Sequence, residues 1–200
     1  MDDIIAFVQL ALDKNVAYKA GDDVLFSVES VKDYGSLSKI KIDDLIAGTR
    51  IAVTDNKKYP MDFVLWKKTD DDGIKFHADF GDGRPGWHTE CLVMINKIFG
   101  QPLIDIHGGG FDLKFPHHEN ERAQSEAVYN SPLANNWMHV GFINMGDEKM
   151  SKSLGNVVYM KDFLEKYNPD IFRLFVLKGY YRSPLVYTCL LYTSDAADEL

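Results

Sequence analysis

The stretch Asp105-Ile106-His107-Gly108-Gly109-Gly110-Phe111-Asp112-Leu113-Lys114-Phe115-Pro116-His117-His118-Glu119-Asn120-Glu121 crowds a glycine turn, a carboxylate and a candidate metal pair into one run. Pro116 is suited to open a helix, and in that helix His117 and Glu121 are i,i+4 neighbours. An imidazole and a carboxylate on one helix face are what two ligands of a single divalent ion require. The same spacing also describes an ordinary exposed pair, so spacing alone leaves both readings open. Leu103 to Ile106 reads as a short buried strand, and the three glycines after it allow a ligand to approach backbone with no Cβ in the way. A second chemical run is Gly146-Asp147-Glu148-Lys149-Met150-Ser151-Lys152-Ser153-Leu154-Gly155-Asn156. Its lysines are flexible point charges that suit a polyphosphate and can follow the charge that develops on a leaving pyrophosphate. A solvated basic loop is the bland alternative, but Lys149-Met150-Ser151-Lys152-Ser153 is a far rarer pattern than two lysines alone.

Elements must position these residues. Ile4, Ile5, Phe7, Val8, Ala11 and Leu12 fall at helical spacing, which predicts one amphipathic helix over Asp2 to Lys19 with Gly21 as its stop. Val24 to Val28 and Ile51 to Val53 read as strands, with a small helix over Ile42 to Ala47 between them. Beyond Asp70-Asp71-Asp72-Gly73 and Gly81-Asp82-Gly83, strand and helix signals alternate through Leu103 to Ile106, His117 to Tyr129 and Trp137 to Ile143. That alternation predicts part of a parallel α/β sheet, preceded by a compact α+β portion. Helical patterns over Asp162 to Tyr167 and Ile171 to Leu177 are separated by Pro169.

Composition narrows the setting. The chain has 200 residues and a formal net charge of −8, so it can bury a core but does not grip nucleic acid through bulk positive charge. No long apolar run or charged-then-apolar leader is present, and Cys91 and Cys189 are too few for a disulfide framework. A reducing cytoplasm fits best.

Five segments carry a resemblance to a known family: Gly83-Arg84-Pro85-Gly86-Trp87-His88-Thr89-Glu90-Cys91, Asp105 to Glu121, Trp137-Met138-His139-Val140-Gly141, Lys149 to Asn156, and Tyr181-Arg182-Ser183-Pro184-Leu185. Weaker support comes from Asp33 to Ser38 and Asp62 to Lys67. The chain resembles the cysteinyl members of the class I aminoacyl-tRNA synthetases over nearly all of its length up to about Tyr187. The resemblance implies an α/β fold: the second half of a class I Rossmann-like nucleotide-binding domain (residues 81–187) preceded by a small α+β insertion domain (residues 1–80), with residues 188–200 as a non-family tail. It implies ATP-dependent activation of cysteine, with Mg2+ accompanying the nucleotide, and transfer to tRNA(Cys) in the cytoplasm, with no membrane partner.

Residue by residue, the resemblance implies Zn2+ held by Cys91, His117 and Glu121. Such a sulfur, nitrogen and oxygen set favours the substrate thiolate over a hydroxyl. Trp87 and His107 match positions around the bound amino acid. Gly108, Gly109, Gly110 and Asp112 match the region that receives ATP, and Lys149 and Lys152 match the catalytic loop, Lys152 also as an ATP contact. The family's His-Ile-Gly-His type motif and an early cysteine expected as fourth zinc ligand are absent, which implies a truncated chain, inactive by itself. Minor departures are His77-Ala78-Asp79-Phe80, where the family has a Ser-Pro-Trp type run, and Thr89 in place of an aliphatic residue. A related cysteine ligase of thiol biosynthesis and a non-catalytic zinc-binding fragment are the competing readings. Glu121 and Asp105-Ile106-His107 disfavour the first of these.

Overall fold

The computed structural model describes residues 1–41, 56–69, 73–146, 148–150 and 154–187. They divide into two compact units. The first comprises Met1–His107 and Leu113–Trp137, and the second comprises Gly108–Asp112 with the described part of Met138–Leu200.

In the first unit, helix α1 (Asp2–Asp13) buries Phe7, Val8 and Ala11. It ends earlier than its apolar pattern predicts, because Asn15 adopts a left-handed backbone (φ 57°) and Ala17–Ala20 forms strand β1. Val16, Ala17 and Ala20 therefore continue the apolar pattern in extended chain. Strands β2 (Asp23–Phe26), β3 (Phe63–Lys68) and β4 (Gly83–Pro85) complete an antiparallel sheet in the order β1-β2-β3-β4. Its register pairs Ala17 with Phe26, Val24 with Trp66, and Trp66 with Pro85. The expected helix Ile42–Ala47, the expected strand Ile51–Val53 and the tail from Thr188 lie outside the described residues.

Leu65 and Trp66 of the sheet are fully buried, together with Leu92 of helix α2 (Trp87–Phe99). Burial of a side chain of this size is typically worth about 1.5–3 kcal/mol. Trp66 also satisfies its one donor, since Nε1–H donates to Gly81 O at 3.1 Å. Helix α2 starts where it does because Gly86 N–H donates to Leu65 O at 2.8 Å. A Cβ on Gly86 would sit 1.9 Å from Val64 O, so only glycine fits. The helix closes on Gly100 at φ 68°, as a left-handed cap.

Strand β5 (Ile104–Gly110), helix α3 (His117–Gln124) and strand β6 (Ala134–Val140) follow, with α3 continuing as a π-helical turn over Ser125–Tyr129. Ile104 N–H donates to Leu133 O at 2.9 Å and Asn136 Nδ2 donates to Asp105 O at 3.2 Å. The two strands therefore start side by side and run parallel, as the alternating signals predict. Helix α2 packs on both α1 and α3.

In the second unit, β7 (Ile143–Met145) pairs antiparallel with β8 (Glu148–Lys149) and parallel with β9 (Leu185–Tyr187). The strand predicted as continuous from Trp137 to Ile143 is broken at Gly141, whose N–H donates to Tyr181 O at 2.8 Å. A side chain there would meet Ser183 O at 2.3 Å. Helices α4 (Met160–Leu164) and α5 (Pro169–Lys178) bring Phe163 and Phe172 edge to face with ring centroids 5.7 Å apart. Pro169 opens α5 rather than only breaking a helix, and Asn168 caps it by accepting from Asp170 N–H at 2.9 Å. The α/β expectation is thus met by β5–β6 and β7–β9, whereas the larger sheet is antiparallel throughout. No helix among the described residues is long and apolar enough to cross a membrane.

Asp62 ties the start of β3 to its neighbours. It is 1% exposed, and it accepts from Val28 N–H at 2.9 Å, from Tyr18 Oη–H at 2.6 Å and from Tyr59 N–H at 3.1 Å. An amide offers one acceptor oxygen where both carboxylate oxygens are used. Asp62→Asn should therefore leave a donor unsatisfied and lower stability by about 2 kcal/mol. Urea denaturation with an unchanged slope would report it, and an unchanged midpoint would contradict this role for Asp62.

Candidate metal centre

Helix α3 has an unusual burden: every residue of His117–Gln124 is buried, and only Ala123 is apolar. Each polar side chain must find a partner within the protein. Glu119 accepts from Ser38 N–H at 2.7 Å and from Arg122 Nη1 at 2.9 Å. Arg122 fans further to Asp33 at 2.5 Å and to Glu126 at 3.0 Å. Asn120 accepts from the Tyr34 hydroxyl. Gln124 accepts from Thr89 Oγ1 at 2.9 Å and donates to His88 O at 2.9 Å, which ties α3 to the first turn of α2. Thr89 thus performs a task that no aliphatic residue could.

Held this way, α3 presents His117 and Glu121 to Cys91 on α2. Ligand atoms of these three residues all lie within 4.8 Å of one another. The exposed-pair reading fails, because Glu121 is 0% and His117 5% exposed. His117 Nε2 stands 3.1 Å from Glu121 Oε1, yet that oxygen has no hydrogen bond despite complete burial. Its partner oxygen, Oε2, lies 2.8 Å from His107 Nε2. On the other side of His117, Nδ1 is 2.9 Å from His88 Nδ1. Trp87 is 57% exposed but stacks one face on His117, with centroids 4.3 Å apart and planes at 21°. A buried, unbonded carboxylate oxygen beside a thiol and an imidazole is the donor chemistry of a zinc ligand set, so the residues present fit such an ion.

The charges divide among the three histidine and carboxylate groups. Burial disfavours charging His117, but the nearby Cys91 and the ion-paired Glu121 carboxylate outweigh that and push it up to about 9. Burial would raise Glu121, whereas His107 and His117 hold it down at about 2. Burial and then the neighbouring charge of His117 press His88 down to about 4, so it stays neutral and can accept the His117 Nδ1 proton.

The other expected site residues are placed as follows. His107 joins the cluster through Glu121, and with His118 and Glu121 it forms a second trio within 4.8 Å. Gly108, Gly109 and Gly110 end β5 in the second unit, where Asp112 is exposed and Gly110 would meet Asp112 Oδ1 at 2.6 Å if it carried a Cβ. Lys149 lies in β8, paired with Asn144, and Lys152 lies outside the described residues. Sequence reasoning did not single out His88, His118 or the Arg122 fan. For His118 and Arg122 the only signal was the density of polar residues in Pro116 to Gln124, which reads equally as a solvated face.

Residues 1–194 match the family model described as tRNA synthetases class I (C) catalytic domain. The chain belongs to this family. It is 52% identical over 188 residues to a cysteine–tRNA ligase of Acholeplasma laidlawii, covering 94% of this chain and 43% of that protein. It is 51% identical over 188 residues to a cysteine–tRNA ligase of Thermococcus gammatolerans, covering 94% of this chain and 39% of that protein. The chain thus spans about two fifths of the length of the curated relatives it matches. Mycobacterium tuberculosis methionyl-tRNA synthetase in complex with methionyl-adenylate shares the fold at a TM-score of 0.58 and 18% identity, over 88% of this chain and 37% of that one. The mixed α/β architecture is accordingly that of a class I synthetase catalytic domain.

In this class I chain the metal-free cluster carries its own pH signature. Raised His117 contributes stability that is full below 6.5 and lost as pH rises through about 9. Depressed His88 does the reverse, contributing above 6.5 and losing it as pH falls towards about 4, while Glu121 contributes above 4.5. With chelator present, the cluster's contribution to the melting temperature should peak near pH 6.5. Added zinc should shift the optimum upwards, since metal competes with protons for the ligands. Calorimetry against a His117→Phe control checks this, and a chelator-treated contribution that climbs steadily above pH 6.5 would contradict the ion-pair arrangement.

Proposed function

We propose that this chain is the thiol-selecting part of a cysteine–tRNA ligase, which activates cysteine with ATP and Mg2+ and passes it to tRNA(Cys) in the cytoplasm. The observation that carries this reading is the convergence of Cys91, His117 and the unbonded Oε1 of Glu121, in a chain whose relatives bear that name. A zinc ion bound there would supply a borderline-soft Lewis acid that takes a thiolate in preference to a hydroxyl. The protein's part is to keep the ligand atoms bare and aligned. Burial removes competing water, α3 fixes two donors on one face, and α2 brings the third. In this reading Trp87, open on one side and stacked on His117 on the other, walls the bound amino acid. The glycines Gly108 to Gly110 and Asp112 take the adenylate region in this reading. Lys149 and Lys152 meet the phosphates as charge builds on the departing pyrophosphate.

Two substitutions in the full-length ligase test the reading. Cys91→Ser should weaken cysteine binding by at least about tenfold with little change in ATP binding, because a hydroxyl is a poor zinc ligand at neutral pH. Equilibrium binding of each substrate measures the contrast, and unchanged cysteine affinity would refute the role of Cys91. Lys152→Ala should slow adenylate formation about a hundredfold, near 3 kcal/mol of transition-state stabilisation, with cysteine binding nearly intact. Arginine should restore little, since its planar fork lacks the compact reach of an ammonium. Rapid-quench measurement decides: wild-type activation with slow transfer to tRNA would make Lys152 an RNA contact instead.

A further inference from the structure

Two histidines touch the donor cluster without belonging to it, and each touches a different donor. His107 Nε2 lies 2.8 Å from Glu121 Oε2, and His88 Nδ1 lies 2.9 Å from His117 Nδ1. Neither contact uses His117 Nε2 or Glu121 Oε1, the two atoms that face each other. What remains is His117 Nε2 and Glu121 Oε1, 3.1 Å apart, of which the carboxylate oxygen is buried without a hydrogen bond. A carboxylate can offer either oxygen or both, and an imidazole either nitrogen, so a cluster of three such donors has several ways to meet an ion. The two histidines remove that choice.

We infer that His107 and His88 are positioning residues, which reserve Glu121 Oε1 and His117 Nε2 for a metal ion by engaging the opposite atom of each ligand. The inference rests on the metal-site reading above and extends it to residues outside the donor set. His107 is well placed for this because its own ring is immobilised. Trp137 meets it edge-on at 5.0 Å and 80°, and His118 lies 4.6 Å away on another side. His107 Nε2–H donates to Oε2, which pins the plane of a carboxylate that is already 0% exposed. His117 is fixed in the same way. Its ring plane is set by the Trp87 stack and its tautomer by His88, which accepts from Nδ1–H when Nε2 faces the ion. Outer partners of this kind typically govern metal affinity by about 10- to 100-fold.

The test uses cobalt(II) as the probe on the chain as it stands, with chelator competition for affinity and thiolate-to-metal absorption as the sign that Cys91 is engaged. His107→Ala should weaken cobalt binding about 10- to 100-fold, whereas His107→Gln, which keeps an N–H donor at the same reach, should stay within about threefold of wild type. His88→Ala should weaken binding likewise, and His88→Asn, which keeps an acceptor, should recover most of the loss. Melting temperatures distinguish this from unfolding. A glutamine variant as weak as alanine while melting at the wild-type temperature would overturn the positioning role of His107, and so would unchanged affinity in the alanine variants. Two cobalt ions per wild-type chain, one of them lost in His107→Ala, would overturn it in favour of His107 as a ligand of its own site with His118 and Glu121. Failure of the wild-type chain to bind cobalt at all would instead defeat the metal-site reading, and the positioning role with it.

Discussion

The first unit depends on one constraint: a polar helix buried along its whole length. Between His117 and Gln124 seven of eight side chains carry polar or charged groups, and all are buried. Desolvating that many groups is affordable only if each is paired, so the surroundings of α3 are determined by its needs. Segment 31–41 crosses over to supply Asp33, Tyr34 and the Ser38 amide, while α2 supplies Thr89 and the His88 carbonyl. The hydrophobic core beneath provides adhesion, but the polar contacts decide register and orientation.

This accounts for what could and could not be read from the chain. The His117/Glu121 pair was legible because helical spacing is local: two residues one turn apart share a face wherever the helix sits. Cys91 was not legible by spacing, since it arrives on a different helix, and only the resemblance joined it to the other two. Glu119, Asn120 and Arg122 have the composition of a solvated face. Their burial depends on residues 31–41 folding across them, a contact between distant segments that no window of sequence contains. The end of α1 was misplaced for a related reason, because Val16 to Ala20 satisfies an apolar pattern equally well as a strand once Asn15 turns the chain.

Electrostatically, the cluster is a row of unlike states. Glu121 is held ionised at complete burial, His117 is pushed towards charge, and His88 is pushed away from it. Neighbouring imidazoles thus titrate in opposite directions because one faces a carboxylate and the other faces an imidazolium in an apolar setting.

The glycine at the mouth of α2 limits how portable this arrangement is. Gly86 hangs the helix directly on β3, with its amide on Leu65 O and no room for a side chain against Val64 O. Cys91 is therefore carried on a helix whose start is fixed to the sheet, and the helix of the opposing donors is held by contacts from segment 31–41. Grafting the three donor residues onto another scaffold would transfer their identities without their coordinates. The smallest transplantable piece is the whole frame from β3 through α3 together with the strap that crosses it, in which the donors are the least demanding part.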